Sequence, residues 1–136
     1  MPDYTAIRAL AAQARSQIRE IAPGEARQLL AQGALLVDVR DGEELLRNPP
    51  LAGALHLSRG RLEFMISDAT ETPDDVIIVY CAGGNRGALA AASLQAIGYR
   101  RVYNLHGGLR GWRDAAGQTW IPTSWLAEEP RGLRIN

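Results

Sequence analysis

The chain has one cysteine among its 136 residues, so no internal disulfide can form and a cysteine-built metal site is out of reach. Its two histidines, His56 and His106, stand far apart and lack the close spacing of a zinc-binding pair. Neither sign of charge is in excess: 15 basic and 15 acidic residues give a formal net charge of zero, and no like-charge block interrupts the chain. That balance argues against nucleic acid or anionic lipid as a partner. No apolar run approaches the roughly 20 residues that span a bilayer. The opening stretch, MPDYTAIRALAAQARSQIREI, has no charged start followed by a continuous apolar segment. It therefore reads as an ordinary helix and not as a secretory signal, with a transit peptide as the weaker alternative. A cytoplasmic protein in a reducing compartment is the expectation.

Apolar residues make up 46% and charged residues 22%, an ordinary globular composition in a length that suits one domain. Tyr4, Ile7, Ala11, Ala14 and Ile18 recur at helical spacing, with Arg8, Gln13, Arg15 and Arg19 on the other face. The helix packs on the domain's own surface, or else forms a dimer contact or docking arm. Pro23, Glu25 and Gly33 bracket a second helix whose Leu29 and Leu30 point inward. Ala34 to Arg40 and Asp75 to Tyr80 are nearly continuous apolar runs of the kind buried on both faces of a parallel sheet. Shorter strands are expected at Ala54–Leu57 and Val102–Leu105. Helices are expected after Asp41, around Arg61–Ile66, from Ala88 to Ile97 and around Leu109–Ala115. This alternation predicts an α/β fold: a central, mostly parallel sheet of about five strands flanked by helices on both faces. Three regions are expected, namely a helical extension over 1–20, a core domain over 21–117, and a tail over 118–136, with Trp120, Pro122 and Trp125, packed on that domain.

The lone Cys81 lies at the carboxyl end of the second apolar strand, where sites form in open α/β sheets. Gly83 and Gly84 let the chain curl there without blocking a ligand's approach. Amides from Ala82 to Gly87, including those of Asn85 and Arg86, are expected to point into one small concavity. The helix that follows adds its positive end, and Arg86 adds a planar, permanently charged fork. Such surroundings favour the thiolate, so the pattern points to a nucleophilic sulfur attacking something anionic. An inert core cysteine, the alternative, needs neither paired glycines nor a nearby arginine. An exposed thiolate at this place would be open to oxidation.

Cys81-Ala82-Gly83-Gly84-Asn85-Arg86-Gly87 resembles the active-site loop of rhodanese-type sulfurtransferases, C-x-x-G-x-R followed by a small residue. Leu36-Val37-Asp38-Val39-Arg40, with Glu44 after it, resembles the family's first core strand. Leu105 to Trp112 resembles its L-x-G-G-x-x-x-W segment, and Gly53-Ala54 a glycine-alanine pair before a short strand. The likeness covers roughly residues 21–117. One departure is Pro50, which stands where many members carry histidine. The resemblance implies that Cys81 takes a sulfane sulfur from a donor such as thiosulfate, becomes a persulfide, and passes it to cyanide or a thiol. It implies no metal and no organic cofactor.

Several alternatives stand beside that reading. A protein sulfur acceptor is one, and monomer and homodimer are both compatible with the sequence. A non-catalytic rhodanese-like binding module is another, although such domains commonly lose the cysteine retained here. Cysteine phosphatases and arsenate-reductase relatives space cysteine and arginine by five residues, whereas four intervene between Cys81 and Arg86. Arg86 is read as the only loop cation. Asp38 is expected to brace the active loop through accepted hydrogen bonds, and Arg40 to pair with Glu44 or a nearby carboxylate, with a substrate contact as the lesser alternative. His56 and His106 are expected to be structural, Trp112 to be core, and Gly107-Gly108 to form a turn.

Overall fold

The computed structural model describes residues 4–118. In chain order these form α1 (Tyr4–Gln17), β1 (Arg19–Ile21), α2 (Pro23–Ala31), β2 (Leu35–Asp38), α3 (Gly42–Arg47) and β3 (Leu55–His56). Next come α4 (Leu62–Met65) with a short 3₁₀ turn, β4 (Val76–Tyr80), α5 (Asn85–Ala96), β5 (Arg101–Leu105) and α6 (Gly108–Gln118). The five strands make one sheet in the order β1-β5-β4-β2-β3, and every neighbouring pair is parallel. The expected α/β sheet with helices on both faces is what forms. Beyond Gln118, the expectations for the tail fall outside the described residues. Among the described residues, no helix is long and apolar enough to cross a membrane.

Strand periodicity assigns the two faces. Val37, Ile77, Val79 and Val102 turn toward Leu62, Ala90, Ala91 and Leu94 on α4 and α5. Leu36, Ile78, Tyr80 and Leu105 turn the other way, toward Ala26, Leu109 and Trp112 on α2 and α6. Cys81 continues the parity of Ile77 and Val79, so its side chain belongs to the α5 side. α1 packs over α5 through its small residues Ala11 and Ala14, which are buried. The five-residue stripe expected on α1 is not fully used, since Ile7 is 53% exposed. Two alanines suffice because α5 is itself alanine-rich and offers a shallow surface.

Two boundaries differ from expectation. Arg19–Ile21, expected as the end of a helix and its connection, pairs in register with Tyr103–Leu105 as an edge strand. Three residues of strand carry too little periodicity to be seen in sequence. Helix α5 starts at Asn85 and not at Ala88, so Arg86 and Gly87 belong to its first turn.

The start of α6 is pressed against the end of β4. The N–H groups of Leu109 and Arg110 donate to the carbonyls of Cys81 (2.8 Å) and Ala82 (3.1 Å). Gly107 and Gly108 make the expected turn with positive φ, and a Cβ on Gly108 would lie 2.5 Å from the Cys81 carbonyl oxygen. Gly108→Ala should therefore lose at least about 2 kcal/mol, from left-handed strain plus overpacking. Urea unfolding checks this as a lower midpoint with unchanged slope. An unmoved midpoint would mean that α6 and β4 separate freely.

Candidate active site

Tyr80 ends β4, and Cys81 follows it with its side chain on the α5 side. Gly84, at φ +121°, reverses the chain so that α5 can start directly above the sulfur. Cys81 Sγ accepts hydrogen bonds from the N–H groups of Gly84 (3.0 Å) and Gly87 (3.3 Å). Of the amides expected to converge there, these two reach the thiol itself. Cys81 is only 1% exposed, which corrects the expectation of an exposed thiolate. Burial follows from the early start of α5, whose first turn roofs the sulfur.

Asn104 on β5 holds this roof from below. It is fully buried, and its Nδ2 donates to the Gly84 carbonyl (3.1 Å) and to Glu20 Oε2 (2.7 Å). A Cβ at position 87 would run into Asn104 Oδ1, so only glycine fits there. Glu20 also accepts from Arg15 Nε at 3.2 Å and from His106 Nδ1 at 3.3 Å. Burial works against its charge, but hydrogen bonds from His106, Asn104 and Arg15 outweigh it and hold the carboxyl below its usual range. Arg15, placed by periodicity on the solvent side of α1, instead brings its Nη2 to the Cα side of Gly84.

Asp38 and Arg40 form a closed pair at the end of β2. Asp38 accepts from the backbone N–H of Arg40 (3.0 Å) and from its Nε (3.0 Å) and Nη2 (2.7 Å). Both residues are buried. Behind them the Tyr80 hydroxyl accepts from the Leu51 N–H at 2.9 Å, tying down the turn that contains Pro50. Burial, reinforced by the Asp38 carboxylate, pushes the Tyr80 hydroxyl far above its ordinary pKa. His56 Nε2 donates to the Arg40 carbonyl at 2.7 Å.

Arg86 does not lie free over the cradle. Its guanidinium forks onto both oxygens of Glu44, at 2.5 and 2.8 Å, and Glu44 also takes the Asp41 N–H at 3.0 Å. The partner expected for Arg40 thus belongs to Arg86, and Arg40 closes on Asp38. Beside Ala82 opens a hollow of about 330 Å³, lined also by Arg40, Glu44, Leu109, Arg110 and Arg113. Arg110 reaches back over the loop, its Nη1 3.5 Å from where a Gly83 Cβ would stand. The loop therefore has cationic neighbours beyond Arg86. Sequence reasoning missed Glu20, Asn104 and Arg110; of these only Asn104, a polar residue in an apolar strand, carried a signal.

Similarity to known proteins identifies the family. A model of the rhodanese-like domain matches residues 22–115. A thiosulfate sulfurtransferase GlpE of Ectopseudomonas mendocina is 36% identical over 98 residues, 72% of this chain and 87% of that one. The solved structure of a polysulfide-sulfur transferase homodimer from Wolinella succinogenes is 30% identical, with a TM-score of 0.68 over 81% of this chain and 83% of that one. A protein of unknown function from Rhodopseudomonas palustris, described as a possible tyrosine phosphatase, is 35% identical. Its TM-score is 0.71 over 81% of this chain and 90% of its own.

Hydrogen bonds from Arg86, more than any other contact, take the Glu44 carboxyl from its ordinary 4.5 down to about 2. Its folded value lies below its unfolded one, so the stabilisation is complete above about 4.5 and fades as pH falls toward 2. Comparing the unfolding free energies of the wild type and Glu44→Gln from pH 6 to pH 2 should show a gap that narrows over that interval. A constant gap would contradict the pairing.

Proposed function

The chain belongs to the rhodanese-like domain family and is a sulfurtransferase, and on that premise we propose that Cys81 carries the sulfur as a persulfide. The observation that bears most weight is the pair of N–H groups, Gly84 and Gly87, aimed at Cys81 Sγ. Donors fixed in advance at a sulfur favour its anionic form and the charge of a persulfide built on it.

Thiosulfate is the donor we propose, in keeping with the names of the GlpE relatives. The Cys81 thiolate attacks the outer sulfur of thiosulfate. A Cys81–S bond forms, the bond from that sulfur to the sulfonate breaks, and sulfite leaves with the electron pair. The enzyme is then Cys81–S–S⁻, held by the loop of Ala82, Gly83, Gly84, Asn85, Arg86 and Gly87. Cyanide attacks the outer sulfur and departs as thiocyanate, or a thiol takes it and departs as a persulfide; either way the Cys81 thiolate returns. A thiol acceptor on another protein would fit the same chemistry. The first step moves no proton, which agrees with His56 holding a backbone carbonyl. Asp38 and Arg40 act as braces of the β2 end. A reducing compartment such as the cytoplasm would keep the thiol available.

A phosphoryl reading is less well supported. A phosphate would need the loop arginine to grip its oxygens, but Arg86 is closed on Glu44, and four residues separate it from Cys81.

Intact mass after incubation with thiosulfate tests the proposal. The expected result is a reductant-reversible gain of one sulfur, about 32 Da for a covalent persulfide, that Cys81→Ala abolishes. A gain from polysulfide alone would reassign the donor. No gain from either would sink the reading.

A further inference from the structure

Six arginines border the Cys81 loop or the hollow beside it, and five are engaged. Arg15 is held by Glu20, Arg40 by Asp38 and Arg86 by Glu44. Arg113 donates to Asn48 Oδ1 and the Pro49 carbonyl, and Arg47 is drawn to Glu43 on its own helix. Arg110 is different. Its backbone is fixed, since its N–H donates to the Ala82 carbonyl at 3.1 Å. Its guanidinium lies 3.5 Å from the position of a Gly83 Cβ, and among the described residues no carboxylate or carbonyl takes it up. Gly83 has no side chain to screen it.

We propose that Arg110 recognises the negative charge of the donor, binding the sulfonate end of a sulfur oxyanion dianion such as thiosulfate in the hollow beside Ala82. The inference rests on the reading of Cys81 as the sulfur acceptor. In-line attack on the outer sulfur puts the sulfonate and its three oxygens on the side away from Cys81 Sγ. Among the described residues, the side chain beside the loop with all its donors open is Arg110. A planar guanidinium matches two of those oxygens at once, and charge-assisted hydrogen bonds of this kind are the strong ones. The backbone tie to Ala82 keeps the helix that carries Arg110 in register with the loop, so the charge is placed before the donor arrives. The hollow, about 330 Å³, leaves room for donors larger than thiosulfate, so the selection is for charge at one point and not for small size.

The test uses the whole chain, with Arg110→Gln, Arg110→Lys and, as a control for net charge, Arg101→Gln at the far end of β5. Two quantities are read: steady-state kinetics with thiosulfate and cyanide, and calorimetric binding of sulfate, a dianion that transfers no sulfur. Arg110→Gln should raise KM for thiosulfate about tenfold or more, the loss expected for a charged hydrogen bond, with kcat falling by less. It should weaken sulfate by a similar factor, Arg110→Lys should recover part of both, and Arg101→Gln should change neither. Unchanged KM and sulfate affinity in Arg110→Gln, or equal losses in Arg101→Gln, would overturn the assignment while leaving sulfur transfer intact. Sulfate binding that depends on Arg110 in a protein that takes up no sulfur would instead overturn the persulfide reading and keep the anion site.

Discussion

Only hydrogen fits between residue 108 and the carbonyls of Cys81 and Ala82. That contact sets the shape of the site. It brings the first turn of α6 against the end of β4, where two N–H groups satisfy the two carbonyls that the chain exposes as it leaves the sheet. With those carbonyls turned toward α6, the following N–H groups are free to turn the other way, toward the sulfur. Gly84 completes the reversal and Gly87 lets Asn104 lie directly beneath it. Three glycines thus do one job in common, which is to let neighbouring parts of the chain approach more closely than side chains would allow.

Charge around the loop is arranged in layers. The innermost pair, Asp38 with Arg40, is buried at both ends. Breaking such a pair by removing one partner leaves an uncompensated charge, whereas keeping both contributes little net stability. Its value here is geometric, because it fixes the end of β2 next to the Tyr80–Leu51 contact. The next layer, Glu44 with Arg86, is half-buried and binds α3 to α5 across the mouth of the site. Arg86 in this role is a clasp, and its charge is largely cancelled by Glu44. The net positive field for an incoming anion must therefore come from backbone dipoles and from arginines outside the motif.

Much of this was legible in the sequence. Two apolar runs announced the central strands, and a lone thiol between a strand, two glycines and an arginine announced the loop. The parallel sheet followed from alternation. What escaped reading was pairing. Nothing in the spacing of Asp38, Arg40, Glu44 and Arg86 says which carboxylate takes which guanidinium, since that depends on how far α5 reaches back toward the loop. The early start of α5 was hidden for a related reason: Asn85 and Gly87, on either side of Arg86, are poor helix formers, and the helical state of this turn comes from packing on Asn104 and Glu44 rather than from propensity. Glu20 lay in a strand too short to announce itself, and Arg15 on a helix whose azimuth was set by two alanines.

Among the described residues, the sheet's two outermost members, β1 and β3, are three and two residues long. A border strand of ordinary length offers a row of unmatched amides and carbonyls on which a second chain can build. Here that row is cut to a few groups on either flank, while the long, apolar strands are enclosed in the middle. The fully parallel, strongly hydrophobic sheet thus offers little seam for polymerisation, and on one flank Arg19 and Glu20 add charge to the brevity of β1.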